Sequence, residues 1–180
     1  MYAPTGIGVL WGRYDLLAAM PPWQGGGDMI ETVTLEGSTW AAPPARFEAG
    51  TPHISGAIGL AKAAEFIMVL GLDHIAKIED DLLRYATDQM SAVEGLRVIG
   101  TAPDKAGILS FVIDGVHAQD LGTLLDQQGV AIRTGHHCAQ PAMAAFGLTA
   151  TARASFGLYN TEEDIDRLVE ATQRAVTMLR

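Results

Sequence analysis

The stretch Val130-Ala131-Ile132-Arg133-Thr134-Gly135-His136-His137-Cys138 decides how this chain is read. Residues 130–133 predict a short strand that follows Gly129 and leads directly into a loop. The loop carries two histidines and the single cysteine of a 180-residue chain. Working outward, Ala118, Leu121, Leu124 and Leu125 predict a helix ending at Gly129. Leu96–Ile99 and Ile108–Ile113 predict strands around the turn Pro103-Asp104-Lys105-Ala106-Gly107. Downstream, a short helix is predicted at 142–146 after Pro141, then a strand of small residues at 151–156. A final helix carries the stripe Ile165, Leu168, Val169, Thr172, Val176 and Leu179, opened by a capping-box-like pattern in which Glu163 follows Asn160 by three residues. From about residue 72 this alternation predicts an α/β layer with helices against a small sheet.

The preceding residues read differently. An apolar run at 7–11 predicts a buried strand, yet the chain offers it no neighbouring strand and no crossover helix. Asp15 is a candidate cap for a short helix at 16–20, which Pro21-Pro22 stops. After Gly25-Gly26-Gly27, residues 29–35 and 38–41 predict a hairpin turning at Glu36-Gly37. A polar loop, Arg46-Phe47-Glu48-Ala49-Gly50-Thr51-Pro52, precedes two helices. The first carries Ile58, Ala61, Glu65, Met68 and Val69 on one face and stops at Gly71. The second is capped by Asp73 and carries Ile75, Ile78, Leu82, Tyr85 and Ala86. The predicted division is therefore 1–71 and 72–180.

Composition narrows the function classes. The chain is 48% hydrophobic and 18% charged, enough apolar content for a real core and against intrinsic disorder. Its net charge of −9 disfavours a nonspecific grip on nucleic acid. No apolar run reaches membrane-span length, and the opening residues show neither a basic leader nor a signal core, so a cytoplasmic location without membrane association is expected. One thiol cannot build a disulfide framework, and consecutive side chains such as His136, His137 and Cys138 seldom converge on one ion, so no metal site is expected.

Three candidates carry chemistry. Cys138 follows two histidines and lies close to Arg133, whose positive charge favours a thiolate. The same residues also read as a small buried thiol beside hydrogen-bonded imidazoles. Arg153, between Ala152 and Ala154, has room to offer a bidentate fork to a carboxylate, and reads equally as a surface arginine paired with an acid. Gly50-Thr51, just before a helix, is a weak phosphate signal whose plainer reading is helix capping.

These residues reach a known family. Arg133-Thr134-Gly135-His136-His137-Cys138-Ala139-Gln140-Pro141 closely resembles the active-cysteine loop of SUF-type (group II) cysteine desulfurases, members of the class V aminotransferase family that use pyridoxal 5'-phosphate. Tyr2-Ala3-Pro4-Thr5-Gly6-Ile7-Gly8, Pro21-Pro22-Trp23-Gln24-Gly25-Gly26-Gly27, Arg46 to Pro52 and Arg153-Ala154-Ser155 through Tyr159-Asn160-Thr161 resemble family segments in family order, so the likeness covers essentially the whole chain. The resemblance implies the C-terminal part of a fold-type I pyridoxal-phosphate transferase: the end of the large-domain sheet, a long helix, then a small α+β domain. On that reading 1–71 is a remnant of the cofactor-binding domain with hairpin and connecting helix, and 72–180 is the small domain carrying the cysteine loop.

The same resemblance implies conversion of L-cysteine to L-alanine with a persulfide left on Cys138, supplying sulfur to a SUF-type acceptor protein for iron–sulfur cluster assembly. Cys138 matches the nucleophile, Arg153 the arginine that holds the substrate carboxylate, and Arg133 a second arginine beside the mobile cysteine. Gly50 and Thr51 match the loop reaching the cofactor phosphate of a neighbouring subunit, and the hairpin resembles a dimer-crossing element, so a homodimer is implied for the full-length form. The family's Schiff-base lysine lies in a Ser-x-His-Lys run ahead of the segment matched here by residues 1–4. Lys62, Lys77 and Lys105 match no such motif. The expectation is an N-terminally truncated chain, inactive alone. Selenocysteine lyase or another class V enzyme is the alternative within enzymes, and a docking or dimerisation module the alternative outside them.

Overall fold

The structure is a computed structural model and describes residues 2–180. The chain divides into two compact units, Met1–Leu70 and Gly71–Arg180.

The first unit is built around loops. Residues 7–11 form no strand: they pair with nothing among the described residues, and Val9 and Trp11 are 82% and 84% exposed. An extended segment needs neighbours for its amides and carbonyls, and among the described residues no strand pairs with this one. Helix α1 (Tyr14–Ala19) starts earlier than expected, with Arg13 as its cap and Asp15 inside its first turn. Strands β1 (Ile30–Val33) and β2 (Ser38–Trp40) make the expected antiparallel hairpin. Its turn is tied by Thr34, whose amide donates to the Gly37 carbonyl at 2.8 Å and whose hydroxyl accepts from the Glu36 and Gly37 amides.

The predicted loop at 46–52 contains part of a single helical turn, Ala45–Phe47. Arg46 fastens this region: Nε donates to the Ala41 carbonyl at 2.9 Å and Nη1 to the Ala18 carbonyl at 2.7 Å. Helix α2 (Ile54–Leu70) buries Gly56, Ala63 and Ile67, whereas Ile58, Met68 and Val69 are exposed. The periodicity gave the helix and missed its buried face, because α2 is apolar nearly all round and offers no polar side to orient it.

The second unit is a four-stranded antiparallel sheet with helices on one face. Gly71, at φ 85°, ends α2 and caps α3 (Leu72–Ser91), a conformation that glycine takes without a Cβ penalty. Asp73 therefore lies in the first turn of α3 rather than at its cap. Strands β3 (Leu96–Ile99), β4 (Ile108–Ile113), β5 (Arg133–Gly135) and β6 (Thr151–Ser155) take the spatial order β3-β4-β6-β5. Since β4 and β5 both run antiparallel to β6, they are parallel to each other, and α4 (Ala118–Asp126) lies in the connection that links them.

The core lies between the sheet and α3, α4 and α6 (Glu162–Leu179). Alternate residues Leu109, Phe111 and Ile113 of β4, with Ala152 and Ala154 of β6, meet Leu82, Leu83, Ala86 and Met90 of α3, Leu121 and Leu125 of α4, and Ile165, Leu168, Ala171 and Ala175 of α6. The small residues of β6 give the helices room to approach. Helix α6 is capped by Thr161, one residue later than expected. The Thr161 amide donates to Asp164 Oδ2 at 3.1 Å, and Asn160 Nδ2 donates to the same oxygen at 3.2 Å. These bonds hold the Asp164 carboxyl below its usual pKa, the Asn160 contact first.

Candidate active site

The site lies on the sheet face turned away from that core. With Ala152 and Ala154 in the core, the period of two places Thr151, Arg153 and Ser155 on the other face. The register pairs Arg153 with Arg133 on one side and with Ser110 on the other, and pairs Thr151 with Gly135. Two guanidinium-bearing residues are thus directly opposed across β5 and β6.

The strand expected at 130–133 begins three residues later, so Arg133 opens β5 and Gly135 closes it. Val130 and Ile132 pack against the core without forming ladder bonds, and Ala131 between them is exposed. Gly135 has φ 115°, and His137 and Cys138 follow in the left-handed region at 56° and 58°. This backbone turns the chain sharply off β5 and delivers α5 (Gln140–Ala145), with Pro141 at its start.

Within the turn each polar group has a definite place. His136 accepts the Cys138 amide at Nδ1, 3.1 Å away, and its carbonyl accepts the Ala139 amide at 2.9 Å. His137 points back to the sheet, with Nε2 2.8 Å from Thr151 Oγ1 and 3.2 Å from the Thr151 carbonyl. Burial first, then the Arg153 charge, hold the His137 imidazole below its usual pKa. Cys138 is exposed, and Arg133 Nη2 donates to its Sγ at 3.9 Å. The reading of Cys138 as a buried core thiol is therefore overturned.

Arg153 is half-buried, and its Nε is a buried donor without a partner among the described residues. An unpaired buried donor is costly and marks a place where an acceptor from outside the chain fits. The loop thus brings together a reachable thiol, a guanidinium beside it and a second guanidinium with spare donors. Such a set can bind a small carboxylate and present a sulfur nucleophile to it.

Gly50 and Thr51 belong to the first unit. Gly50, at φ 77°, spends its amide on the Gly27 carbonyl at 2.9 Å, so an anion contact from this loop falls to Thr51, which is exposed ahead of α2. His137 was singled out in sequence only as a neighbour of Cys138; nothing in residue order reveals its bond to Thr151, fourteen positions away.

The chain belongs to the class V aminotransferase family, whose model matches residues 1–168. Among curated relatives, a cysteine desulfurase of Escherichia coli O127:H6 is 50% identical over 180 residues, covering 99% of this chain and 44% of the relative. A probable cysteine desulfurase of Xylella fastidiosa Temecula1 is 47% identical over 179 residues, covering 99% of this chain and 43% of the relative. The crystal structure of the cysteine desulfurase CsdA from Escherichia coli superposes with a TM-score of 0.93 at 42% identity, over 99% of this chain and 44% of that one. A cysteine desulfurase from Thermococcus onnurineus NA1, solved in its apo state, gives 0.90 at 38% identity, over 98% of this chain and 44% of that one. The architecture is therefore that of the fold-type I class V enzymes, and the chain spans less than half the length of the relatives it matches.

Class V aminotransferases depend on pyridoxal phosphate, and this chain fits one side of that cofactor's chemistry. Arg153 and Arg133 suit the substrate side, and Thr51 suits the phosphate. The three lysines do not suit a covalent anchor: Lys62 pairs with Glu65, Lys77 with Asp81, and Lys105 reaches the Gly100 carbonyl, the first two from exposed helix faces. Among the described residues no single helix is long and apolar enough to cross a membrane.

Proposed function

We propose that the chain forms the thiol- and substrate-binding part of a cysteine desulfurase, with the cofactor's lysine supplied from outside these 180 residues. The observation that carries this reading is the exposed Cys138 Sγ with Arg133 Nη2 3.9 Å away, on the same open face as Arg153, whose buried Nε has no hydrogen-bond partner among the described residues. Arg153 takes the carboxylate of L-cysteine in its fork, and Thr51 reaches the cofactor phosphate of the neighbouring subunit. When bound, pyridoxal phosphate supplies the electron sink that loosens the substrate's Cβ–S bond. Cys138 attacks the substrate sulfur as a thiolate. An S–S bond forms, the Cβ–S bond breaks, a proton ends on Cβ, and the products are L-alanine and a Cys138 persulfide.

The persulfide then passes to a sulfur-acceptor protein, which we take to be of the SUF type and to serve iron–sulfur cluster assembly. Exposure of Cys138 on a turn supports such a hand-off. A homodimer is supported by the β1–β2 hairpin, where Val33 and Leu35 stand in solvent. A lone exposed thiol is best kept usable in a reducing cytoplasm.

The test is to co-express the chain with the N-terminal remainder of the Escherichia coli relative and supply L-cysteine and pyridoxal phosphate. Alanine should form, with one extra sulfur on the Cys138 peptide by mass spectrometry. Cys138→Ser should abolish both, and the 180 residues alone should give neither. Alanine produced equally by Cys138→Ser would refute the reading. Faster turnover of selenocysteine with no Cys138 persulfide would point to a selenocysteine lyase, and no turnover in the assembled protein to a docking module.

A further inference from the structure

His137 and Cys138 are consecutive non-glycine residues in the left-handed region. That backbone is uncommon for residues with a Cβ and persists where surrounding contacts over-determine it. The contacts here are asymmetric. His136 binds only within the turn, through the Cys138 amide and the Ala139 amide. His137 ties the turn to the sheet, with Nε2 against both the hydroxyl and the carbonyl of Thr151. Thr151 is fully buried at the start of β6, opposite Gly135, where β5 ends. It is therefore a fixed post beside the point at which the chain leaves the sheet.

The charge around His137 suits this task. Burial and the guanidinium of Arg153 favour the neutral ring. With Nε2–H donating to Thr151, Nδ1 is left as a buried lone pair, in keeping with its lack of a partner among the described residues. A neutral ring anchors the loop without adding a third positive charge beside Arg133 and Arg153.

We propose that His137 is a positioning residue: its bond to Thr151 holds the left-handed turn so that Cys138 Sγ stays beside Arg133 on the open sheet face. The importance of that placement rests on Cys138 being the sulfur acceptor proposed above, but the placement itself is measurable without turnover.

Cys138 is the only cysteine, so alkylation of the full chain reports on this thiol alone. Iodoacetate carries a carboxylate and iodoacetamide does not, so the ratio of their rates reads the positive field at Sγ. Arg133→Ala should lower that ratio, which calibrates the readout. His137→Ala should lower it about two- to fivefold, the range exposed charge pairs give, with the iodoacetamide rate unchanged or raised. Thr151→Val, which removes the hydroxyl but keeps the shape, should lower the ratio less, and Thr151→Ser should keep it at the wild-type value. A wild-type ratio in a folded His137→Ala chain would overturn the proposal. If His137→Ala does not fold, equal ratios for Thr151→Val and Thr151→Ser would overturn it instead. A chain that never yields alanine still gives both rates, so failure of the desulfurase reading leaves this result standing or falling by itself.

Discussion

Arg133 and Arg153 face each other directly across β5 and β6, two guanidinium residues on the sheet face that the core leaves open. Like charges directly opposed in a sheet are unfavourable. Arg133→Gln should therefore stabilise the isolated chain by about 0.2–1 kcal/mol at low salt, with the gain shrinking as salt screens the pair. Urea unfolding at two salt concentrations checks this. A loss of stability at low salt would mean that Arg133 makes a stabilising contact that outweighs its repulsion by Arg153. The same substitution should slow sulfur transfer, so stability and chemistry are expected to move in opposite directions.

Arg153→Lys should not behave as a conservative change. Lysine brings a point charge where arginine brings a planar fork. In the assembled enzyme the expected result is a raised KM for L-cysteine. Equal KM values would remove Arg153 from carboxylate binding.

Cys138→Ser should leave folding almost unchanged, within about 0.5 kcal/mol, because the side chain is exposed and its partner is an exposed arginine 3.9 Å away. Phe111→Ala should behave in the opposite way. Phe111 is fully buried at the centre of β4, and the cavity should cost about 3–5 kcal/mol. Circular dichroism with denaturant titration separates the two cases.

His137 gives a pH dependence with a definite sign. Its folded pKa lies below the unfolded value of 6.5, so the unfolded chain binds more protons as pH falls. The contribution of His137 is fully present above about pH 6.5 and is lost as pH drops through the lower folded pKa. Burial lowers that pKa most, the charges of Arg153, Arg133 and His136 act in the same direction, and the bond to the Thr151 backbone opposes them. Unfolding measured between pH 7 and 5 should show a decline that His137→Ala flattens.

At the start of α6, Asp164→Ala removes the oxygen that accepts both the Thr161 amide and Asn160 Nδ2. The expected cost is about 0.5–2 kcal/mol, in the range of lost helix caps. Because the Asp164 carboxyl titrates below its usual value of 3.8, this stabilisation is present above that pH and is lost as pH falls through the folded value. The difference between wild type and Asp164→Ala should accordingly vanish in strong acid.

Particular elements show how far residue order carries. Strands β3 and β4 fall where alternation and turn residues put them, and α3 buries the Ile75, Leu82 and Ala86 expected of it. These elements are amphipathic, so local period and tertiary burial agree. Helix α2 was legible as a helix and not as a face, because apolar residues surround it. The run at 7–11 has strand-like composition and no strand, because pairing is a property of neighbours and not of the run itself. Strand β5 moved by three residues because its bonds to β6 are made at Arg133, Thr134 and Gly135, whatever the propensity of Val130 and Ile132.

By itself the sequence determined the helices of the second unit and its strands other than β5, the identity of the one thiol and the family motifs around it, since composition, period and turn chemistry are local. Only the tertiary structure decided that Arg153 stands opposite Arg133, that Cys138 is exposed beside a guanidinium, and that His137 reaches Thr151. Those facts depend on strand register and on a left-handed turn, and both are fixed by partners distant along the chain.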